Sequence, residues 1–508
     1  MSNDLLLAID NGTQSIRALL FDSSGNLLGK SKVDLQPYYS TEPGWAEQSA
    51  DYYWKCLGQA CQQLWQETGI DRSRVRGVAL TTQRGSIIHV DKDGKPLRPA
   101  IIWLDQRRTE LPKITGPWGW AIQHLREQSE VNWVAQEQPE IAQNAHQVLL
   151  LSGFLTYKMT GRFADSRSSC VAYLPFNYHT QAWAGPRHWM WKALSVRREQ
   201  LPELVDPGQI LGHITRAASE YTGIPEGLPM IAAGADKACE ALGCGGLTKE
   251  IACLSYGTTA TINTTSTGYQ EITRLLPAYP AAIPSHYNHE VMIYRGFWMV
   301  NWFKQEFAEL ERQRAKHLGV ATESLFDEHL NSVPPGSMGL MLQPYWTPGI
   351  REPGLEAKGA VIGFGDVHRR AHLYRAIIEG LAYALRQGKE RIEKRTRTRI
   401  TQLRVSGGGS QSDAVMQMTA DIFGMPAERP HTWEASGLGA AMACAVGLGM
   451  HKDFPSAVAA MTRTGSVFIP NPDAMQLYER LYQEVYLGMY NKLRPLYQKI
   501  REITGYPP

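Results

Sequence analysis

The chain has 508 residues, several times the ~150 of a typical domain, so more than one core is expected. Hydrophobic residues make up 43% and charged residues 20%, an ordinary globular balance that excludes a disordered or fibrous chain. Fifty-two basic side chains against 49 acidic leave +3, too little on this length to attract nucleic acid or a membrane surface, so a small-molecule partner is expected. Seven cysteines without a C-x-x-C pair predict reduced, buried thiols and a cytoplasmic protein. The apolar run between Asp4 and Asp10 is too short and too acidic for a signal peptide. Gly437 to Met450 falls short of the ~18 apolar residues of a membrane span, so a soluble chain is expected.

The chain opens with two β-like runs, Leu5 to Asp10 and Ser15 to Asp22, joined by Asn11-Gly12-Thr13-Gln14. An Asn-Gly turn between apolar runs predicts a hairpin, and the turn Ser23 to Asn26 adds a third strand, Leu27 to Val33. Residues 51 to 69 have helical spacing, Val75 to Leu80 reads as a strand, Glu130 to Leu151 reads as helical and Gly161 to Leu174 as extended. A further strand, Met230 to Ala233, ends in Gly234-Ala235-Asp236.

A second hairpin follows, Ile251 to Tyr256, Gly257-Thr258-Thr259, then Ala260 to Asn263. The repeat of a strand, a Gly-Thr turn and a returning strand predicts a duplicated domain, with the boundary near Gly246 to Glu250. Later, the strand Leu403 to Val405 runs into Gly407-Gly408-Gly409-Ser410 and a helix from Asp413 to Phe423, an order that lets backbone N–H groups approach phosphate. Helices near 436–449 and 473–500 are expected to pack over that loop.

Several motifs fail on inspection. Gly25 to Ser31 has one residue too few for a P-loop, and no G-x-G-x-x-G, H-E-x-x-H or G-x-S-x-G string occurs, which removes the sequence case for a Rossmann dehydrogenase, a zincin or an α/β-hydrolase. Arg391 to Arg399 reads as a solvated face, and His286, His289 and Glu290 read as a loop without enough ligands for a metal. Asp10 at a strand end is a candidate for hydrated Mg²⁺, with Gly12 and Thr13 offering donors to phosphate oxygens. Two Gly-Thr hairpins facing across a cleft would grip a triphosphate, and Asp236 could take a hydroxyl proton.

Gly44-Trp45-Ala46-Glu47-Gln48, Trp103-Leu104-Asp105-Gln106-Arg107, Gln343-Pro344-Tyr345-Trp346 with Gly349-Ile350-Arg351-Glu352-Pro353, and Gly359 to Gly363 followed by His372 to Gly380 complete an ordered set. That set resembles the FGGY family of carbohydrate kinases, within the actin, Hsp70 and hexokinase superfamily of ATP-binding folds, over nearly the whole chain. Glu434 to Ala440 is similar to the family's closing Glu-x-x-x-Leu-Gly-Ala segment, whereas Phe364 stands in place of a smaller aliphatic and Glu130 in place of a Lys.

The resemblance implies an α/β chain of two duplicated actin-like, ribonuclease H-like ATPase domains with a central cleft, at 1–248 (sugar, phosphate hairpin and base) and 249–508 (ATP). It implies ATP and Mg²⁺ as cofactors, Asp10 and Asp236 near the metal, and Gly12, Thr13 and Gln14 on the phosphates. Gly257, Thr258 and Thr259 are expected on the opposite side, Gly408, Gly409 and Ser412 around adenine and ribose, and Asp236 as catalytic base. Ser412 replaces a more usual Asn. A homodimer is expected by resemblance alone.

The acceptor rests on Gln83, Arg84, Trp103 and Asp105. Glycerol kinases usually show Gln-Arg-Glu and xylulokinases Gln-Met-His-Gly where this chain has Gln83-Arg84-Gly85. Arg84 can donate to vicinal hydroxyls and Gly85 leaves space, so a ketose or pentitol larger than glycerol is expected. Trp103 could stack on a sugar face or pack a core, and Asp105 could bond hydroxyls or pair with Arg107. The alternatives are a kinase of another hydroxylated metabolite such as glycerol, or an ATP-binding sugar sensor or chaperone-like module without turnover.

Overall fold

The computed structural model describes residues 4–116, 119–320, 322–347, 349 and 353–506. Ile350, Arg351 and Glu352 of the Gly-x-Arg-x-Pro loop lie outside them. The chain forms two compact units. The first takes residues up to Gly245, then Ser266–Asn288 and Ala435–Thr462; the second takes Gly246–Thr265, His289–Glu434 and Arg463 onward.

In the first unit, β1 (Leu5–Asn11) pairs antiparallel with β2 (Ser15–Asp22), and β2 pairs with β3 (Leu27–Asp34), as the turn chemistry predicts. Every residue of β1 is buried, because sheet neighbours flank it on both sides and helices cover its faces. α1 (Ala50–Thr68) starts where the Ser49 hydroxyl accepts from the Tyr52 N–H and stops at left-handed Gly69. Its stripe Tyr53, Cys56, Leu57, Ala60 and Leu64 joins the core over the sheet. β4 (Val75–Thr82) runs parallel to β1.

The long helical expectation from Glu130 breaks up. Helices Glu130–Glu137 and Pro139–Asn144 are followed by a strand, Gln147–Leu150, paired with Ile87–Val90, before α2 (Leu151–Thr160) begins. A short buried apolar run has no periodicity to separate strand from helix, and here sheet pairing decides. The extended run after Gly161 shrinks to a strand, Ala164–Ser166, and a 3₁₀ turn, Arg167–Ser169. β5 (Ile210–His213), β6 (Pro229–Ala232) and α3 (Asp236–Gly243) complete the unit's main sheet, ordered β5-β6-β4-β1-β2-β3 among the described residues. The helix Ala435–Gly447 packs on β1, β4 and α3. Its nearly unbroken small and apolar surface needs burial all round, which the sheet on one side and α3 and the helix Phe454–Met461 on others supply.

In the second unit, β7 (Ile251–Tyr256) pairs antiparallel with β8 (Ala260–Ser266) and parallel with β10 (Gln402–Ser406), with β9 (Tyr287–Ile293) beyond β8. His289 and Glu290 therefore sit in a strand, not a loop. α4 (Arg370–Thr396) precedes β10, and α5 (Asp413–Phe423) follows the glycine loop. β11 (Ala427–Pro430) and β12 (Thr464–Phe468) extend the sheet, which among the described residues runs from a two-residue strand, Tyr279–Pro280, through β9-β8-β7-β10-β11-β12. The helix Pro472–Arg480 packs on α5. All seven cysteines are buried and free of disulfides. No helix among the described residues is long and apolar enough to cross a membrane.

Candidate active site

In the first unit, the carboxyl ends of β1, β4 and β6 gather the residues singled out from the sequence. Asp10, 1% exposed, lies opposite Thr81 in the parallel register and takes an ion pair from Arg17 at 2.7 Å. The tip Gly12-Thr13-Gln14 closes with the Gly12 N–H donating to Ser15 O at 3.0 Å, and Gln14 faces solvent. A chain of side-chain bonds ties this tip inward. Trp103 Nε1 donates to Thr13 Oγ1 at 3.0 Å, Thr13 Oγ1 to Gln83 Oε1 at 2.9 Å, and Gln83 Nε2 to Tyr53 Oη at 3.0 Å. Burial pushes the Tyr53 phenol up to about 12, so it stays neutral.

Arg84 lies over the Tyr279 ring at 5.0 Å, and Gly85 adopts φ +64°, a left-handed conformation that glycine accepts at no steric cost. Asp236 is the first residue of α3, and its own backbone neighbour Lys237 donates N–H to Oδ1 at 2.8 Å. Burial raises its carboxyl above the ordinary Asp value against the opposing pull of Lys237 and Arg84. Cys239 lies near both Asp10 and Asp236; burial, with a smaller push from the two carboxylates, takes its thiol up to about 12.

Asp105 has partners of its own. Its carboxylate accepts from Arg107 Nε at 2.8 Å, Arg107 Nη2 at 2.7 Å and the Ala46 N–H at 2.6 Å. The Arg107 guanidinium lies over Trp45 at 4.1 Å and Trp133 at 4.4 Å and also reaches Glu47 at 2.8 Å. The pairing with Arg107, one of the two readings of Asp105, is present.

The second unit holds the other set. The hairpin tip Gly257-Thr258-Thr259 is fixed by backbone bonds: Phe297 N–H donates to Gly257 O at 2.9 Å and Gly296 N–H to Thr258 O at 2.9 Å. Tyr256 Oη and Thr419 Oγ1, 2.8 Å apart, join β7 to α5. β10 runs out through Gly407 into the 3₁₀ turn Gly408–Gln411, with Gly409 against the Phe297 ring and Gly408 facing open space. Ser412 caps α5, accepting from Val415 N–H at 3.2 Å and donating to Asp327 Oδ1 at 2.5 Å. Its hydroxyl is thus engaged within the protein.

Magnesium favours carboxylate, phosphate and water oxygens in an open octahedron. No group of three or more His, Cys, Asp or Glu side chains converges to hold a metal among the described residues. Asp10 and Asp236 instead offer hard oxygen donors without an all-protein cage, a donor set that fits a metal arriving with phosphate. Tyr53, Thr81 and Tyr279 were not singled out from the sequence. Their partners lie far along the chain; the alignment of two β-like runs that puts Thr81 beside Asp10 is the nearest thing to a local signal.

Residues 5–243 match the model of the N-terminal domain of the FGGY family of carbohydrate kinases, and residues 252–448 match that of its C-terminal domain. The chain is 30% identical over 511 aligned positions to the sugar kinase YgcE of Escherichia coli (strain K12), covering 99% of this chain and 96% of that protein. It is 27% identical to a xylulose kinase of Lactococcus lactis subsp. lactis (strain IL1403), covering 94% and 95% of the two chains. In structure it resembles a xylulose kinase from Lactobacillus acidophilus, with TM-score 0.78 at 21% identity over 99% of both chains. A gluconate kinase from the same species gives TM-score 0.77 at 21% identity, again over 99% of both. With both domain models matched in order across two duplicated actin-like units, the chain belongs to the FGGY family of carbohydrate kinases.

Proposed function

We propose that this carbohydrate kinase moves the γ-phosphoryl group of ATP onto a hydroxyl of a ketose or pentitol larger than glycerol, with Asp236 as general base. The observation that carries the reading is the Asp236 carboxylate at the head of α3, made more basic by burial and lying beside Arg84. As the acceptor oxygen bonds to the γ-phosphorus, Asp236 takes its proton and the bond to the bridging oxygen breaks, leaving ADP. Catalysis of this kind is mostly alignment and charge neutralisation.

The backbone N–H of Thr13, on the tip that Gly12 closes, suits phosphate, with Gln14 beside it, and Gly257, Thr258 and Thr259 form a tip in the second unit that suits phosphate as well. Gly408 and Gly409 suit the nucleotide's close approach, and Ser412 supports their turn by capping α5. A magnesium ion held by Asp10 and Asp236 would supply positive charge to the phosphates. Arg84 and Gln83 suit hydroxyls, Trp103 a sugar face, and Asp105 positions the Trp103 segment through Arg107. Gly85 leaves room beyond a three-carbon polyol, and relatives named as xylulose kinases make a ketopentose such as xylulose the first acceptor to try.

The test is ADP release from Mg-ATP across C3 to C7 polyols, ketoses and aldonates, with Asp236→Asn beside the wild type. A ketopentose should stimulate release, and the variant should lose about 10³-fold while still binding ATP. Turnover within ~10-fold of wild type would remove Asp236 as base. ATP binding without stimulation by any compound would favour a sensor.

A further inference from the structure

A carboxylate works as a base only if the backbone behind it holds still. The three residues before Asp236 are held from several directions. Ser166 Oγ donates to Ala233 O at 2.5 Å, and Thr81 Oγ1 donates to Gly234 O at 2.9 Å. Gly234 N–H meets Cys239 Sγ at 3.2 Å, and Ala235 N–H donates to Ser168 O at 3.0 Å. Ser166 is 2% exposed, Ser168 1% and Thr81 0%, so water cannot substitute for these partners.

Ser166 and Ser168 belong to one turn. Ser166 caps the 3₁₀ turn Arg167–Ser169, accepting from Ser168 N–H at 3.2 Å, which leaves its single proton for Ala233. Asp165 fixes the turn, accepting from Ser166 N–H at 2.7 Å and from Ser152 Oγ, at the start of α2, at 2.7 Å. Ser168 sends its own hydroxyl the other way, to Ala281 O at 2.5 Å. Ala281 follows Tyr279 and Pro280 directly, and the Tyr279 ring lies beneath Arg84.

We infer that the turn Asp165–Ser169 is a two-armed positioning hub, in which Ser166 fixes the base Asp236 and Ser168, through Ala281, fixes the Tyr279 platform that aims Arg84 at the acceptor. The inference rests on the roles proposed above for Asp236 and Arg84. The arms should separate kinetically. Drift of the base is felt in the transition state, whereas drift of the Arg84 platform is felt mainly in acceptor binding.

The experiment is steady-state kinetics of full-length Ser166→Ala and Ser168→Ala, with xylulose and gluconate as acceptors and Asp236→Asn alongside. Ser166→Ala should lower kcat about 10-fold or more and leave the acceptor KM within ~2-fold. Ser168→Ala should raise the acceptor KM about 5-fold and leave kcat within ~2-fold. Thr81→Val should repeat the Ser166→Ala pattern and Thr81→Ser should restore kcat, which keeps the test decisive if Ser166→Ala does not fold. The same kcat and KM split in both arms, or kcat unchanged in both Ser166→Ala and Thr81→Val, overturns the hub. If Asp236→Asn itself retains turnover, the base assignment has failed instead.

Discussion

The two units are one arrangement built twice. β5-β6-β4-β1-β2 in the first matches β12-β11-β10-β7-β8 in the second strand for strand: an antiparallel edge, three parallel strands, and a hairpin. What differs is the means of fixing the equivalent ends. The first tip is tied by the Thr13 side chain to Gln83 and Trp103, and β4 leads into Gln83-Arg84-Gly85. The second tip is tied by main-chain bonds from Gly296 and Phe297, and β10 leads into Gly407-Gly408-Gly409. Side chains discriminate among hydroxyl patterns, whereas bare backbone N–H groups meet phosphate charge whatever else the ligand carries. On the proposed function, one scaffold serves a selective ligand in one copy and a common nucleotide in the other.

That contrast can be broken at three places. The largest effect is expected from Gly407→Ala in the second unit. Gly407 sits at φ 82° and ψ 174°, a region open to glycine almost alone, and a Cβ there would lie 2.8 Å from the Tyr256 carbonyl. ATP KM should rise more than ~10-fold with a stability loss of about 2 kcal/mol, read by kinetics and thermal melting; an unchanged KM would mean that this backbone does not shape the nucleotide site. Trp103→Phe in the first unit keeps an aromatic face but removes the N–H that holds Thr13. Acceptor KM should rise about 5-fold, with a smaller rise for ATP, and a change in acceptor KM alone would separate the sugar wall from the hairpin tip. The smallest effect is on pH dependence. As the proposed base, Asp236 has to be ionised, so on that proposal kcat falls as pH drops through its raised pKa, which Arg84 pulls down. At saturating acceptor, Arg84→Met should move the acid limb of kcat to higher pH; a limb that stays in place would assign it to another group.

Both hairpins, the strand before Asp236 and the glycine loop before α5 were legible because each is a local pattern of apolar runs punctuated by Gly, Thr or Asp. The strand Gln147–Leu150 was not, since four buried residues between helices carry no period of their own. Side-chain commitments were hidden for another reason. Nothing near Asp105 in sequence chooses between a sugar hydroxyl and Arg107, and nothing near Ser412 announces Asp327, 85 residues away. Ser166 and Ser168 read as ordinary turn residues until their carbonyl partners, 67 and 113 residues on, are brought beside them.

The helix Ala435–Gly447 closes the first unit although it is made almost two hundred residues after Gly245. During synthesis, the sheet face formed by β1 and β4 must therefore wait, bare and sticky, until nearly the whole chain has emerged. The first unit is thus begun first yet cannot be sealed until most of the second has been made. A ribosome that stalls between the units leaves an unsealed half, a natural client for chaperones and proteases.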